Sequence, residues 1–387
     1  MSFFGSSNLG DLLISSSLEN KVKEYSNQVT RIDYLGNDIV ENMNIEDYIG
    51  FTQPKNNHKE KIKQITKRSP FNQLAMRAKK RMNLFSFPSF DREIDQAEAL
   101  IIGGGNMIFD LETDTISAKR FDYYVSKAKE NNLPVFAISL GIGPFQNKYQ
   151  QKYAVEALSK CDYITFRDNT SLKLFKEFNP TKENVTVVPD PVFFMETKNT
   201  EASRKKIGMN IINPELFSKD LNSEEVKMNY VRLINELLET TGEEILIFNT
   251  EIKDYPFCQA VYEELTDKEK VQIAKVTNLK DLYNVFDQTK LVVGTRMHSL
   301  ITAFSQGIPI VGLSWQQKVD AMFELVDDSE SVVSLLILSD NIKRVTGLVS
   351  DKLINGNKNH QQIMADLKNK ERINEVFFEE IFEKTRN

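Results

Sequence analysis

The sequence predicts an α/β protein built from two doubly wound βα domains that face one cleft. Three observations carry this. Short apolar runs rich in Ile, Val and Phe alternate with longer charged stretches of helical period, as when parallel strands are buried between helices. A polar, aperiodic stretch from Glu196 to Lys206 interrupts the series, and a second series begins behind it. The length of 387 residues is enough for two domains, each with its own core.

In chain order, the first series predicts strands at Ala99 to Ile102, Val135 to Leu140, Tyr163 to Phe166 and Val185 to Val188. Each runs into a turn signal: Gly103-Gly104-Gly105, Gly141-Ile142-Gly143-Pro144, Arg167-Asp168 and Pro189-Asp190-Pro191. The second series predicts strands near Lys206 to Ile212, Ile245 to Phe248, Val271 to Ile273, Leu291 to Val293 and Ile308 to Gly312, with helical patterns such as Ser223 to Glu239 between them. After Asn355 the period is helical, with Ile363, Leu367, Ile373, Phe377 and Ile381 on one face. That segment is too short for a third core and should pack back onto the body. The expected division is therefore residues 1–198, residues 199–354 and a C-terminal helix in 355–387. Open α/β sheets bind ligands at their strand C-termini, so the site is expected in the cleft.

Composition excludes several classes. With 49 basic and 55 acidic side chains the net charge is -6, which argues against a globally cationic nucleic-acid binder. Cys161 and Cys258 lie far apart with no metal-ligand spacing around them, so neither a disulfide framework, a zinc finger nor another metal site is expected. No basic n-region precedes Asp11, and no window offers about 18 uninterrupted apolar residues. A cytoplasmic protein is the expectation. The net charge hides one strong local feature: Lys55 to Arg81 holds ten basic side chains and one acid, Glu60, so this segment is +9 and the remainder is -15. A short stretch with Leu84, Phe85, Phe87 and Phe90 follows it. The segment reads either as a solvated hairpin with core-facing aromatics or as a peripheral contact with anionic headgroups or a lipid-linked diphosphate.

Candidate chemistry gathers at strand ends. Gly294-Thr295-Arg296-Met297-His298-Ser299 follows an apolar strand and opens a helix, which turns backbone N–H groups and a positive helix terminus toward an anion. Arg296 adds a planar two-pronged donor, and His298 can bind a phosphate or move a proton near neutral pH. Lys318 leaves the neighbouring strand at the same edge, so Arg296, His298 and Lys318 are expected to converge on one polyanion. Read without a ligand, Arg296 is an ion-pair partner and His298 a helix-cap donor. In the first domain, Gly104, Gly105 and Asn106 offer either close backbone approach to a ligand or a tight turn. Gly5, Asn8, Gly10 and Asp11 form a glycine loop ahead of a helix from about Leu12 to Val22, either a helix N-terminus facing the cleft or its cap. Arg167 should reach into the cleft from the opposite domain, with Asp168 capping the next helix. Asp190, between prolines, is a general base or a turn residue.

Lined up in this order, the chain resembles the polysaccharide pyruvyl transferase family. The matching residues are Gly5 with Asn8-Leu9-Gly10-Asp11, then Gly103-Gly104-Gly105, Gly141-Ile142-Gly143-Pro144, Arg167-Asp168 with Ser171, and Pro189-Asp190-Pro191. The most specific part is Arg296-Met297-His298 followed by Ile301, Ala303, Gly307, Pro309 and Lys318. The resemblance implies a GT-B-like fold of two Rossmann-like domains. It also implies phosphoenolpyruvate as donor and a sugar with two free hydroxyls as acceptor, joined as a pyruvate ketal with no cofactor. The family's donor-binding and catalytic pair falls on Arg296 and His298, and its Arg-Asp arginine on Arg167. His298 would be the general acid or a proton carrier to the departing phosphate, and Asp11 and Asp190 are candidates for the base. The sequence departs from the family in its very short first strand and in Thr52 to Phe90, where no motif matches. Two rivals are a GT-B-type glycosyltransferase using a nucleotide sugar and a non-catalytic sugar- or phosphate-binding relative.

Overall fold

A computed structural model describes residues 1–6, 8–36, 86–110, 116–195, 203–216 and 222–386. The basic segment Lys55 to Arg81 and most of the expected linker lie outside the described residues.

The chain begins with helix α1 (Leu9–Lys23) and a short helix α2 (Pro88–Glu93). Strands and helices then alternate: β1 (Leu100–Asp110), α3 (Ser117–Glu130), β2 (Val135–Phe145), α4 (Lys148–Leu158), β3 (Tyr163–Phe166), α5 (Asn169–Lys176) and β4 (Val185–Val187). The second domain continues with β5 (Lys206–Asn210), α6 (Ser223–Thr241), β6 (Ile245–Phe248), α7 (Tyr255–Glu263), β7 (Val271–Ala274), α8 (Leu279–Phe286), β8 (Thr289–Gly294), α9 (Met297–Ser305), β9 (Ile310–Ser314), α10 (Gln317–Leu325) and β10 (Val332–Ser334). Helices α11 (Leu338–Asn355) and α12 (His360–Arg386) close the chain.

Both sheets are parallel among the described strands, in the orders β1-β2-β3-β4 and β10-β9-β8-β5-β6-β7. Their strands read as apolar runs because helices cover both faces. In the second sheet the order reverses between β5 and β8, so the crevice for a ligand opens at the C-termini of these two strands, Asn210 and Gly294. The N-terminal strand is reduced to an isolated bridge, Ser2 with Asp33, and to pairing of Met1 with β1 through Gly103 N–H.

Two expectations change. The triple glycine and the Gly141-Pro144 segment are not loops but lie inside β1 and β2, which stay paired from Leu100/Val135 to Asp110/Phe145 through register shifts. Gly104 has φ of +72°, and a Cβ there would fall 1.6 Å from Ile14 Cγ2, while one on Gly103 would meet Leu18 at 2.3 Å. These glycines therefore let α1 settle onto β1. Secondly, the helix begins at Leu9 rather than Leu12, because the Asn8 side chain accepts from Gly10 N–H and caps it. The expectation of core-facing aromatics holds for two of them: Phe90 is fully buried, and the partly buried Phe87 packs edge-on against Tyr123 and tilted against Tyr124.

The domains share core. Leu9, Leu12, Leu13 and Ile14 of α1, with Val192 and Phe193, pack in one cluster with Phe248, Leu279, Met297, Leu300 and Leu367. Leu9 N–H also donates to Thr250 O at 2.9 Å, and Asn8 bridges Glu251. Helix α12 runs back across the seam: Leu367 joins that shared cluster, and Phe378 and Ile381 pack with Leu18, Val22, Phe136 and Ile138 of the first domain. Its buried face also carries Glu371 and Asn374, polar positions that an apolar periodicity does not display.

Candidate active site

The site is assembled where α1, the β3 and β4 ends, and the β8 and β9 ends meet. Asn210 organises its floor. Its side-chain oxygen accepts from Arg296 N–H at 3.1 Å and from Ser299 Oγ at 3.0 Å, and its carbonyl accepts from Thr295 Oγ1. Gly294 lies buried under this turn, and a Cβ there would crowd Leu300 and Ser299 at 2.9 and 3.0 Å. Gly294 is thus a packing residue of the strand end rather than an open anion donor.

Arg296 is not a free donor either. Its Nε and Nη2 form a bidentate pair with Asp254, at 2.9 and 3.0 Å, and Asp254 is wholly buried. Asn213 N–H supports the same carboxylate. Burial pushes the Asp254 carboxyl up to about 6, with the Arg296 charge opposing. The pair fixes the guanidinium plane through Nε and Nη2 and does not engage Nη1.

His298 sits in the first turn of α9 and is packed between domains. A Cβ on Gly10 would fall 2.2 Å from His298 Nδ1, so only glycine allows α1 to approach the ring this closely. On the other side, Nε2 lies 3.5 Å from Asp190 Oδ2, and neither atom makes a hydrogen bond. This is an ion-pair contact longer than a normal hydrogen bond. Asp190 does more than shape its turn. Its Oδ1 accepts from Val192 N–H, and Arg167 Nη1 lies 3.8 Å from its Oδ2. Burial alone would raise its carboxyl, but contact with His298 and then the Arg167 charge more than offset this and hold it below the usual range.

Arg167 reaches the cleft with its side chain 10% exposed, its Nε 3.5 Å from Asp168, which also caps α5 through Ser171 N–H. Gly141 leaves room for that guanidinium, since a Cβ would approach its Nε to 2.9 Å. Lys318 starts α10 and lies 5.8 Å above the Trp315 ring. Its ammonium is lowered to about 8, first by desolvation and then by repulsion from Arg167 and Arg296, with Asp11 opposing. The residue is exposed by surface area, so solvent moderates the desolvation part while the like-charge repulsion stands. Asp11, in the first turn of α1, accepts from Ser6 Oγ at 2.7 Å. Burial raises its carboxyl, against that hydrogen bond and the charges of His298, Lys318 and Arg167.

Helices α9 and α10 begin without a side-chain cap, as do α2, α3, α7 and α11, whereas Asn or Asp caps α1, α4, α5, α6 and α8. Two uncapped positive termini beside Arg167, Arg296 and Lys318 suit an anion. The structure therefore brings together His298, Arg296, Lys318, Arg167, Asp11 and Asp190. It does not bring Gly104, Gly105 or Asn106 into this group: Gly104 packs on Ile14, and Asn106 Nδ2 is bonded to Gly143 O. Asn8 contributes its cap rather than a free side chain. Asp254 and Asn210 were not visible in the sequence, because a lone Asp or Asn carries no motif until the fold sets it beside Arg296. Among the described residues no group of three or more His, Cys, Asp and Glu could hold a metal ion, and no helix is long and apolar enough to cross a membrane.

The chain is 23% identical over 288 residues to the amylovoran biosynthesis protein AmsJ of Erwinia amylovora, covering 68% of each. In fold it is similar to UDP-GlcNAc 2-epimerase of Methanocaldococcus jannaschii, with a TM-score of 0.50 at 12% identity over 70% of this chain and 75% of that one. It also aligns, with a TM-score of 0.39 and 14% identity, to an accessory secretory protein structure from Streptococcus pneumoniae, over 71% of this chain and about half, 54%, of the other. The fold is GT-B-like, with two Rossmann-like domains facing the cleft. The sequence profile of one family spans residues 8–317, from the cap of α1 to the start of α10, and the chain belongs to that family, the polysaccharide pyruvyl transferases.

Proposed function

We propose that this protein transfers the pyruvate unit of phosphoenolpyruvate onto a sugar of a polysaccharide or its lipid-linked precursor, closing a pyruvate ketal and releasing phosphate. The observation that carries this reading is the convergence of Arg167, Arg296 and Lys318 with His298 at strand ends of both domains. Phosphoenolpyruvate presents a phosphate and a carboxylate on one small frame, which calls for several cationic donors at fixed spacing. Arg296 is held rigid by Asp254, and two uncapped helix termini lie beside it.

The two cleft carboxylates are pushed in opposite directions, and such a division separates roles. Asp190, held ionised, positions His298 through Nε2, leaving Nδ1 over Gly10 as the nitrogen for the reacting proton. His298 protonates the enol methylene carbon, and the first sugar hydroxyl attacks the adjacent carbon. Asp11, pushed upward by burial, takes that hydroxyl proton. The C–O bond to phosphate then breaks, and the second hydroxyl closes the ketal as its proton passes to the departing phosphate. Proton transfer of this kind contributes roughly 10² to 10⁴ in rate. On this reading the +9 segment Lys55 to Arg81 would dock an anionic, lipid-linked acceptor.

Thermal protection separates this donor from a nucleotide sugar. Phosphoenolpyruvate at a hundred times its Kd should stabilise the protein by about 2.7 kcal/mol and raise its Tm. Protection by UDP and none by phosphoenolpyruvate would refute the donor assignment.

A further inference from the structure

Lys318 differs from the other two cations of the site in how it is held. Arg296 is clamped by Asp254, and Arg167 lies beside Asp168 and Asp190. Lys318 makes no hydrogen bond or ion pair among the described residues. Its ammonium faces the charges of Arg167 at the end of β3, Arg296 in the turn behind β8 and Asp11 in α1, and the two arginines push it away. A flexible four-carbon stem in an exposed position would swing out to water under that repulsion unless something held it.

The group in place to do so is Trp315. Lys318 Nζ lies 5.8 Å from the centre of its ring, within the reach of about 6 Å at which an indole face attracts a cation. The ring is fixed in place. It is half-buried, packs against the core of the second domain and donates its N–H to Thr295 O at 3.0 Å. Thr295 immediately precedes Arg296, and its Oγ1 donates to the carbonyl of Asn210, whose side chain accepts from Arg296 N–H. The ends of β5, β8 and β9 are thus tied into one frame, which fixes the Arg296 turn on one side and presents an aromatic face to Lys318 on the other. An aliphatic residue at this position would supply neither the N–H nor the negative face.

We infer that Trp315 is a positioning residue of the site: its indole face holds the Lys318 ammonium at the cleft, and its N–H locks that face to the turn that carries Arg296. Trp315 acts through Lys318 and not on the reacting atoms. That the held ammonium serves the donor rests on the pyruvyl-transfer reading, whereas the pair itself does not.

Trp315 is the only tryptophan of the chain, so its emission reports on Lys318 without a label. In the full native chain without substrate, the emission should step as Lys318 loses its proton near pH 8, and Lys318→Met, which keeps the stem but not the charge, should lose the step. Flat emission through that range, or a step retained in Lys318→Met, would overturn the inference. Steady-state phosphate release then reads the positioning. Trp315→Leu should raise the KM for phosphoenolpyruvate about three- to fivefold, and Trp315→Phe, which keeps a ring face but no N–H, should recover most of that loss. Equal KM values in the two variants would reduce Trp315 to packing and overturn the inference. Lys318→Met alters an exposed residue, so the emission measurement stands even if Trp315→Leu does not fold. A native chain that does not turn over phosphoenolpyruvate would refute the transfer reading alone, and the emission step would still decide for or against the pair.

Discussion

Replacing Gly10 by alanine separates activity from stability more cleanly than any change to a charged residue. The added Cβ falls 2.2 Å from His298 Nδ1 and 2.7 Å from Cγ, and ordinary contact begins near 3.4 Å. The ring must therefore withdraw by about 1.2 Å, and Asp190, 3.5 Å beyond Nε2, limits the room behind it. A displacement near 1 Å in a reacting group costs on the order of 10²-fold, equivalent to about 2.7 kcal/mol of barrier. Stability should move little, because alanine within a helix is favoured over glycine by about 0.5 to 1 kcal/mol and offsets part of the crowding. Gly347, in α11 with nothing within 4 Å of a built Cβ, is the matched control. Steady-state phosphate release and urea denaturation of both variants are the assays. Gly10→Ala should lose about a hundredfold in kcat with near-native unfolding, and Gly347→Ala should keep full activity. A Gly10→Ala protein with native kcat would refute the packing of His298 against α1, and with it the interdomain site.

Other expectations follow from the charges and the packing. Lys318, lowered to about 8, should lose its proton and its hold on the donor as pH rises through that value, so the KM for phosphoenolpyruvate should climb above about pH 8. Lys318→Arg should remove this limb, and a limb unchanged in the variant would exclude Lys318 as its source. In the folded protein the depressed ammonium is unfavourable when charged, so this penalty is present below about pH 8 and fades toward the unfolded lysine value near 10.4. Asp254, raised to about 6, should protonate as pH falls through that value and release Arg296, raising donor KM; Asp254→Asn should show the raised KM at every pH without the limb. The ionised Asp254 disfavours folding above about pH 6, and this cost disappears as pH falls toward the ordinary carboxylate value. Gly104→Ala should destabilise by about 2 to 4 kcal/mol, combining overpacking on Ile14 with a left-handed backbone, measured by urea denaturation.

Much of this architecture is legible in the sequence, for physical reasons. Parallel strands buried on both faces read as apolar runs, so Tyr163 to Phe166 and Ile245 to Phe248 coincide with β3 and β6. Glycine misleads at Gly103 to Gly105 because the same residue serves turns and close helix–strand packing, and only the position of Ile14 distinguishes them. The strand Val332–Ser334 is too short to carry a period that the sequence could show. In the site, Arg296, His298 and Lys318 are readable because they follow strand ends. The Asp254 carboxylate that fixes Arg296 is not, since its role depends on a tertiary approach across 42 positions of sequence. Asp190 illustrates both limits: its prolines mark a turn correctly, yet its second oxygen faces a histidine of the other domain.

The proposed transfer from phosphoenolpyruvate places its chemistry on the cluster of Arg167, Arg296, Lys318 and His298. The most direct measurement is mass spectrometry of candidate lipid-linked oligosaccharides incubated with phosphoenolpyruvate and either the native protein or His298→Ala. The mass of one pyruvate ketal on an acceptor is expected with the native protein, with phosphate released in equal amount, and neither with the variant. A ketal formed equally well by His298→Ala would contradict it.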